Sequence, residues 1–258
     1  MTLSVNLNAD MGEGFGAYRI GDDDAILKII RSASIACGMH AGDLLTMRHV
    51  VQRAKEEGVS IGAHPGFNDL WGFGRRRIDM QPEHLEYIIA YQIGALSAMA
   101  AYVGEKVTHL KPHGALNNMA AENADYAMAI GRAIKAVDRN IIYVTNVGSE
   151  MEKAGRKLGL KVAREAYCDR LYDDDCSLTS RKIPGAVIHD PAVAAERVVN
   201  MVVNGEIVSR HGKRIPQQID TLCVHGDEPT AIVLASAVRA ALEAAGVKIV
   251  RLPEMALV

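Results

Sequence analysis

Histidines, carboxylates and a lysine occur in short segments that also contain glycine and that recur along the chain. These segments are 8–14, 37–43, 64–69, 111–114 and 225–228, and Glu165 with Asp169-Arg170 forms a further group. Imidazole and carboxylate side chains can act as general acids and bases, while lysine and arginine bind carboxylates and phosphates. Glycine lets a loop turn sharply and approach a ligand closely. The pattern predicts a catalytic or binding site assembled from several segments.

Two groups of candidates follow from residue type and placement. The candidates for direct chemistry are Asp10, His64, Lys111, His113 and Asp227. The candidates for binding substrate or phosphate are Glu13, His40, Arg75, Arg76, Glu165, Asp169, Arg170 and His225.

Asp10, His40 and His64 form an Asp/His/His set of the type that binds zinc or manganese. They lie far apart in the sequence and carry no local metal signature, so only their chemical types suggest a metal. Other roles remain open. Asp10 could cap the segment that follows it, and both histidines could be satisfied within the core.

The basic residues beside glycine or proline are candidate anion-binding groups. Lys111 and His113 flank Pro112, which keeps the backbone extended and directs both side chains toward the end of the preceding strand. Arg75 and Arg76 follow a glycine-rich stretch and could hold an anion with planar, paired donors. The alternatives are an ion pair for Lys111 and a solvated turn for the arginines.

Short apolar segments that could form strands alternate with longer segments of helical periodicity. Strands are predicted at Leu3–Ala9, Ala33–Ala36, Ser60–Ala63, Val107–Lys111, Ile141–Thr145, Lys161–Ala163, Thr221–Val224 and Lys248–Leu252. Helices are predicted at about 44–57, 82–103, 122–137, 149–158, 191–203 and 229–245. Asp43 should cap the first of these helices, and Gly58 should follow its end.

Strands that alternate with helices indicate parallel pairing and an α/β fold. Seven or eight strands in about 250 residues fit a (β/α) barrel, and an open doubly wound sheet is the alternative. In both architectures the ligand site lies at the carboxyl ends of the strands. The polar segments follow the predicted strands, so we expect them to converge on one side of the sheet.

The composition is typical of a globular chain with nearly balanced charge. Its 258 residues include 29 Lys and Arg against 31 Asp and Glu, and 49% are hydrophobic. The small net charge argues against a nucleic-acid partner. The uncharged stretch from Tyr87 to Gly104 has helical spacing of its large apolar residues, which predicts a buried helix rather than a membrane span. No linker or repeat divides the chain, so we expect one domain, 1–258.

The cysteines and the missing motifs limit the remaining classes. Cys37, Cys168, Cys176 and Cys223 form no C-x-x-C pair, which argues against a disulfide framework and a structural zinc site of that type. The first residues lack the basic start of a signal peptide, so we expect a cytoplasmic protein with reduced thiols. Neither G-x-S-x-G nor a P-loop motif occurs, so any use of ATP needs another architecture.

Six longer stretches contain the polar segments: NLNADMGEGFG (6–16), SIACGMHAGD (34–43), IGAHPGFNDLWGFGRR (61–76), LKPHGALNN (110–118), EAYCDRLYDDDCSLTSR (165–181) and CVHGDEPTA (223–231). Together they resemble the LamB/YcsF family, in the family's order and across nearly the whole chain. The sequence departs from the family pattern at Asn117, where a tyrosine is usual, and at Cys176, where a glycine is usual.

The resemblance implies a distorted seven-stranded (β/α) barrel of the glycoside hydrolase/deacetylase type. It implies an ATP-dependent 5-oxoprolinase, which hydrolyses the lactam of 5-oxo-L-proline to L-glutamate, with this chain as one subunit beside companion subunits B and C. ATP, carried with Mg²⁺, would be the co-substrate. Another divalent metal and association into a homo-oligomer are left open.

For this reaction, residue types suggest the following roles. Lys111, Arg75 and Arg76 suit an anion; Asp10, His64 or Asp227 could serve as bases. His40, His113 and His225 could donate protons or hydrogen bonds. Two alternatives stay open: a metal-dependent, deacetylase-like hydrolase that acts alone, and a non-catalytic substrate-binding subunit.

Overall fold

Seven parallel strands close into a barrel in the computed structural model of this chain, which describes residues 3–224 and 231–257. The strands in these residues are β1 Ser4–Met11, β2 Ser32–Ala36, β3 Ser60–His64, β4 Val107–Leu110, β5 Ile142–Asn146, β6 Val162–Tyr167, β7 Glu206–Val208, β8 Arg214–Pro216, β9 Thr221–Val224 and β10 Lys248–Ile249. The barrel order is β1-β2-β3-β4-β5-β6-β9, and pairing of β9 with β1 closes it. The predicted seven-stranded barrel is therefore confirmed.

The predicted eighth strand exists but lies outside the barrel. β10 pairs in parallel with the first residues of β1, with Ser4 opposite Lys248. A 3₁₀ turn at Leu252–Glu254 follows it. Leu252 is buried against Ile142, Val144 and Ala163 of β5 and β6, so it fills the end of the barrel at which the strands begin.

Helices connect the strands and cover the outside of the barrel. They are α1 Asp23–Leu27, α2 Leu44–Glu56, α3 Pro82–Ala101, α4 Gly114–Glu122, α5 Ala124–Asp138, α6 Glu150–Leu158, α7 Pro191–Asn204 and α8 Ala231–Ala244. All six helices predicted from periodicity are present, although the predicted start of the last falls at 229–230, outside the described residues. The segment after β4 turns directly into α4, and an antiparallel hairpin joins β7 and β8; neither was predicted.

Local sequence signals explain where the helices begin and end. The side chain of Asp43 accepts hydrogen bonds from the backbone N–H groups of Leu45 and Thr46, as the N-cap prediction requires. Gly58 has a φ of +67° just past the end of α2, a left-handed conformation that glycine adopts without strain. Pro82 occupies the first turn of α3.

The helix predicted to be deeply buried buries only one face. In α3, Leu85, Ile89, Ile93 and Leu96 are fully buried, whereas Tyr87 and Tyr91 are exposed. Within residues 3–224 and 231–257, none of the helices combines the length and apolar character that a membrane crossing requires.

The first strand alternates between the two sides of the barrel wall. Val5, Leu7 and Ala9 belong to the apolar core, whereas Asn6 and Asn8 are buried polar residues in hydrogen bonds with neighbouring strands. Asn6, for example, contacts both Ser32 on β2 and Thr221 on β9. The inside of this barrel is consequently polar, and Asp10 continues the inward-facing series at the carboxyl end of β1.

Candidate functional site

A cavity of about 710 Å³ lies at the carboxyl ends of the barrel strands. Its walls include eight of the predicted site residues: Asp10, Glu13, His64, Arg75, Lys111, His113, Glu165 and Arg170. The predicted convergence therefore occurs, because parallel strands bring these segments to the same end of the barrel.

Three other predicted residues are described but do not line the cavity. His40 lies behind it, buried against Glu13. Arg76 turns away and binds the carboxylate of Asp69 with its guanidinium, an ion pair that was not among the predicted alternatives and that replaces the predicted anion clamp at this residue. Asp169 is buried beside the cavity. His225 and Asp227 fall outside the described residues.

Lys111 is the centre of a lysine cluster that also contains Asn8, Asp10, Glu165 and Cys223. Its Nζ lies 2.8 Å from Asp10 Oδ1, 3.1 Å from Glu165 Oε1 and 2.9 Å from Cys223 Sγ. Asn8 donates a hydrogen bond of 2.9 Å to Glu165 Oε1 and so holds that carboxylate in place. These contacts cross the barrel interior, since they join β1, β6 and β9 to the end of β4.

The lysine cluster keeps its positive charge despite complete burial. Burial alone would lower the pKa of Lys111, but the carboxylates of Asp10 and Glu165 raise that pKa well above its usual value. Burial raises the pKa of the Cys223 thiol, so Cys223 contributes a neutral sulfur that accepts from the ammonium. The result is a fixed cation at the base of the cavity.

Beside the lysine cluster lies a histidine cluster, formed by Glu13, His40, His64 and His113. Glu13 Oε1 is 3.1 Å from His40 Nε2, 3.1 Å from His113 Nδ1 and 3.9 Å from His64 Nε2. The rings of His40 and His113 stack at 3.7 Å, and His64 meets both edge-on. One ligand atom from each of the four residues lies within 4.8 Å of the others.

The predicted metal set Asp10, His40 and His64 is only partly assembled. Asp10 bridges the two clusters, with Oδ1 on Lys111 and Oδ2 at 3.4 Å from His64 Nε2. Glu13 and His113, rather than Asp10, share the group with His40 and His64. The residue types suggested a metal site in this area. Whether Asp10 or Glu13 joins the histidines depends on the path of the loop after β1.

Burial and neighbouring groups set the charge of this cluster. Burial opposes ionisation of Glu13, but its contacts with His113 and His40 hold the pKa of that carboxyl well below its usual range. Burial lowers the pKa of His40 to about 3, and its contact with Glu13 offsets this only in part. Near neutral pH the cluster therefore contains a carboxylate beside an uncharged His40 imidazole.

Close backbone approach makes room for the stacked histidines. A Cβ on Gly66 would lie 2.7 Å from His40 Nδ1, and a Cβ on Gly74 would lie 2.7 Å from His40 Cβ. Any side chain at either position would displace the ring. Gln92 of α3 fixes the first of these loops, because its amide both donates to the carbonyl of Gly66 and accepts from its N–H.

Loop residues form the outer part of the cavity, which we call the rim and define as Arg75, Arg170, Cys176, Arg181 and Lys182. Arg75 lies over the ring of Phe73, 5.0 Å from its centroid. Arg170 is buried and donates to the carbonyl of Thr179, while its Nε finds no hydrogen-bond partner among the described residues. The rim is thus rich in guanidinium donors.

Several residues in the cavity wall or directly behind it were not predicted from the sequence. Asn8, Cys223 and Tyr167 surround Lys111, and Asn117 and Asn146 lie within hydrogen-bond distance of each other and of Tyr167. The alternation of Asn6, Asn8 and Asp10 was a usable signal for Asn8, because residues two apart in a strand share a face. Cys223 carried no such signal, since a buried cysteine in a strand is ordinarily a packing residue.

The LamB/YcsF family model matches residues 5–257 of this chain. A relative, the A subunit of 5-oxoprolinase from Rhodopseudomonas palustris (strain BisB18), is 53% identical over 247 residues, which are 95% of this chain and 97% of the relative. The crystal structure of a lactam utilization protein from Thermus thermophilus has a TM-score of 0.92 at 43% identity and covers 96% of this chain and 99% of its own. A T48 deacetylase solved with substrate has a TM-score of 0.51 at 15% identity, covering 97% of this chain and 89% of its own, which shows likeness of fold alone.

Proposed function

The chain belongs to the LamB/YcsF family, and we propose that it serves as the A subunit of an ATP-dependent 5-oxoprolinase. The observation that carries the proposal is the 53% identity to a relative of that name, over nearly the full length of both chains. The cavity agrees with it, because its base holds a fixed cation between two carboxylates and its rim carries guanidinium groups.

The chemistry of the substrate explains why ATP is needed. A five-membered lactam is an unstrained amide, so its ring carbon is a poor electrophile. Transfer of a phosphoryl group from ATP to the lactam oxygen makes that carbon electrophilic. One water then adds, the ring nitrogen leaves, and a second water hydrolyses the resulting acyl phosphate to L-glutamate and phosphate.

The lysine cluster is suited to the lactam end of this reaction. The ammonium of Lys111 would stabilise negative charge on the lactam oxygen or on the phosphate attached to it. Asp10 lies between Lys111 and His64 and lines the cavity, which supports our assignment of its carboxylate as the base that would take a proton from the attacking water. Glu165 and Asn8 would act as positioning residues that keep the ammonium in place.

The rim is suited to the anionic ends of both substrates. 5-Oxo-L-proline carries a carboxylate and ATP carries a triphosphate, and guanidinium groups bind both kinds of anion with paired hydrogen bonds. Arg75, Arg170 and Arg181 all line the cavity. Mg²⁺ would accompany ATP as part of the co-substrate.

Companion subunits B and C would complete the enzyme. The letter in the relative's name implies that its enzyme has other subunits. The described residues contain several large exposed side chains near the cavity loops, of which Trp71 is 98% exposed. We expect turnover to need the assembled subunits rather than this chain alone.

The direct test is an assay of glutamate formation that depends on both ATP and 5-oxo-L-proline. The chain is assayed alone and together with subunits B and C, as wild type, as Lys111→Met and as Lys153→Met. Lys153 is an exposed lysine on α6 paired with Glu150, so its variant is the matched control. We expect glutamate with wild type and Lys153→Met in the assembled enzyme and none with Lys111→Met. No glutamate from the assembled wild type would overturn the proposal.

The histidine cluster supports a second candidate, a metal-dependent hydrolase that acts without ATP or partners. That candidate predicts chelator-sensitive hydrolysis by the chain alone. ATP-dependent turnover that needs the companion subunits would exclude it as the main activity.

A further inference from the structure

Two histidines of the histidine cluster face each other through ring nitrogens that carry no hydrogen. His64 Nδ1 lies 2.7 Å from the backbone carbonyl of Lys111, and His113 Nε2 lies 2.8 Å from the backbone carbonyl of Phe73. A carbonyl oxygen only accepts hydrogen bonds, so we assign the ring hydrogens to these two outer nitrogens. In neutral imidazoles the inner nitrogens, His64 Nε2 and His113 Nδ1, then carry lone pairs, and they lie 3.0 Å apart.

Two carboxylates add negative charge beside these inner nitrogens. Glu13 Oε1 lies 3.1 Å from His113 Nδ1, and Asp10 Oδ2 lies 3.4 Å from His64 Nε2. His40 can donate one hydrogen bond to Glu13 through Nε2, yet its Nδ1 is buried with no partner among the described residues. The hydrogen on His40 Nε2 serves Glu13 and does not reach the contact between His64 and His113, so no hydrogen lies between those two nitrogens. Buried lone pairs that face each other are unfavourable unless a cation lies between them.

We infer that Glu13, His64 and His113 bind one divalent transition-metal ion of the zinc class, while His40 stacks on His113 and holds Glu13 through a hydrogen bond from Nε2. In a tetrahedral zinc site with bonds of about 2.0–2.1 Å, neighbouring ligand atoms are separated by about 3.3 Å. The separations among Glu13 Oε1, His64 Nε2 and His113 Nδ1 are 3.0, 3.1 and 3.9 Å, which scatter around that value. Three ligand atoms therefore lie at separations that suit one ion, and a fourth position would be left for water or a substrate.

The ligand set and its surroundings favour this class of metal. Imidazoles suit zinc, cobalt and related ions, whereas Mg²⁺ and Ca²⁺ prefer carboxylate, carbonyl and water oxygens. The outer nitrogens of His64 and His113 donate to backbone carbonyls, an arrangement that orients metal-binding histidines in proteins. Glu13, His64 and His113 line the cavity, so the ion would be reachable from it.

The inference rests on the hydrogen-bond geometry of the cluster and does not depend on the proposed ATP-dependent reaction. Lys111 lies next to the histidine cluster, but its positive charge is already paired with the carboxylates of Asp10 and Glu165. It therefore does not supply the cation for the histidine cluster. The metal site can therefore be tested by binding alone, and the reaction by the glutamate assay.

The test uses the purified full-length chain, stripped with a chelator and dialysed separately against Zn²⁺, Co²⁺ and Mn²⁺. We expect one equivalent of at least Zn²⁺ and Co²⁺ per chain and a higher melting temperature when metal is bound. Bound Co²⁺ should show the d–d absorption of nitrogen and oxygen ligands without a sulfur charge-transfer band, since the cluster contains no cysteine.

Variants locate the ion. His113→Ala and the more conservative Glu13→Gln should each weaken binding by about 100-fold or more. His49→Gln should bind as wild type, because His49 is an exposed histidine paired with Asp24 on the outer surface. Circular dichroism of each variant reports whether it is folded. Wild type that binds none of the three ions stoichiometrically, or folded variants that bind like wild type, would overturn the inference.

Discussion

The base and the rim of the cavity are built in opposite ways. At the base, Lys111, Glu165 and His64 come from the ends of barrel strands, and Lys111 contacts Glu165 through its ammonium and His64 through its backbone carbonyl. At the rim, Arg170 and Cys176 come from the irregular segment between β6 and α7, and Arg75 comes from the loop after β3. Groups held by strands are fixed relative to each other, whereas loop groups can adjust to a ligand.

This difference suggests that the base and the rim have different roles in the proposed reaction. Under the proposed function, the charges at the base would keep their positions during the reaction, because preorganised groups stabilise a transition state without reorganising. Under the proposed function, the guanidinium groups of the rim would bind anions and would not react. Substitutions at the base should therefore alter stability and turnover together, and substitutions at the rim should alter binding.

The largest effect is expected at the base. Lys111→Met leaves the buried Glu165 and the partly buried Asp10 without their cation, and removal of one partner from a buried ion pair costs about 3–5 kcal/mol. Urea unfolding should show this loss in the free energy of unfolding. Lys153→Met, on the surface, should change it by less than about 0.5 kcal/mol. Equal losses in the two variants would contradict the central role of Lys111.

A smaller effect, confined to binding, is expected at the rim. Arg170→Met removes a buried guanidinium whose Nε is unpartnered among the described residues. Hydrogen bonds to charged groups contribute about 1.5–3 kcal/mol, so KM should rise about 10- to 100-fold for the substrate that Arg170 binds. Steady-state kinetics of the assembled enzyme should show kcat changed much less than KM. Arg156→Met, in an exposed pair with Glu152, serves as the control. A fall in kcat with KM unchanged would place Arg170 with the base instead.

Asp23 holds the loop that carries Glu13, and its contribution to stability should depend on pH. Asp23 accepts hydrogen bonds from the N–H of Gly12, next to Glu13, and burial raises its pKa from 3.8 to about 6. Because the folded-state pKa is raised, this group stabilises the fold most below pH 3.8, and the contribution is lost as the pH rises through 6. Asp23→Asn cannot ionise, so it should gain about 2–3 kcal/mol relative to wild type between pH 4 and pH 7.5.

Urea unfolding of both proteins across this pH range measures the gain. Asp24→Asn is the control, because bonds from Arg53 and His49 lower the pKa of Asp24 despite its slight burial. A stability difference between Asp23→Asn and wild type that stays constant with pH would contradict the raised pKa.

The smallest effect is expected at Cys176 of the rim, which has a φ of +71°. A left-handed conformation costs a residue other than glycine about 1–2 kcal/mol, and a glycine at this position would remove that cost. The greater conformational freedom of glycine in the unfolded chain offsets part of the stability gained. Cys176→Gly should therefore raise the free energy of unfolding by about 0.5–1 kcal/mol. Cys168→Gly, at a buried position without positive φ, should lower it. Destabilisation by Cys176→Gly would show that the packing of the thiol outweighs the backbone strain.

The predicted elements agree closely with the structure where periodicity is strong. Thr221–Val224 was predicted with its observed bounds, and the other barrel strands differ by at most four residues at either end. The hairpin of β7 and β8 was missed because each strand has three residues, too few for a pattern of alternation. α4 was missed because it begins directly at Gly114, where the sequence suggested a loop.

Residue type and placement alone determined that His, Asp, Glu, Lys and Arg side chains would meet at one end of a barrel. Parallel strands impose that result, because every segment after a strand emerges on the same side. Which groups pair was decided only by the tertiary structure. Lys111 reaches Cys223 and Glu165 across the barrel, Arg76 turns to Asp69, and Glu13 takes the place among the histidines that the sequence suggested for Asp10. Side-chain reach and ring hydrogens depend on contacts between residues that are distant in the chain, and no local pattern encodes those contacts.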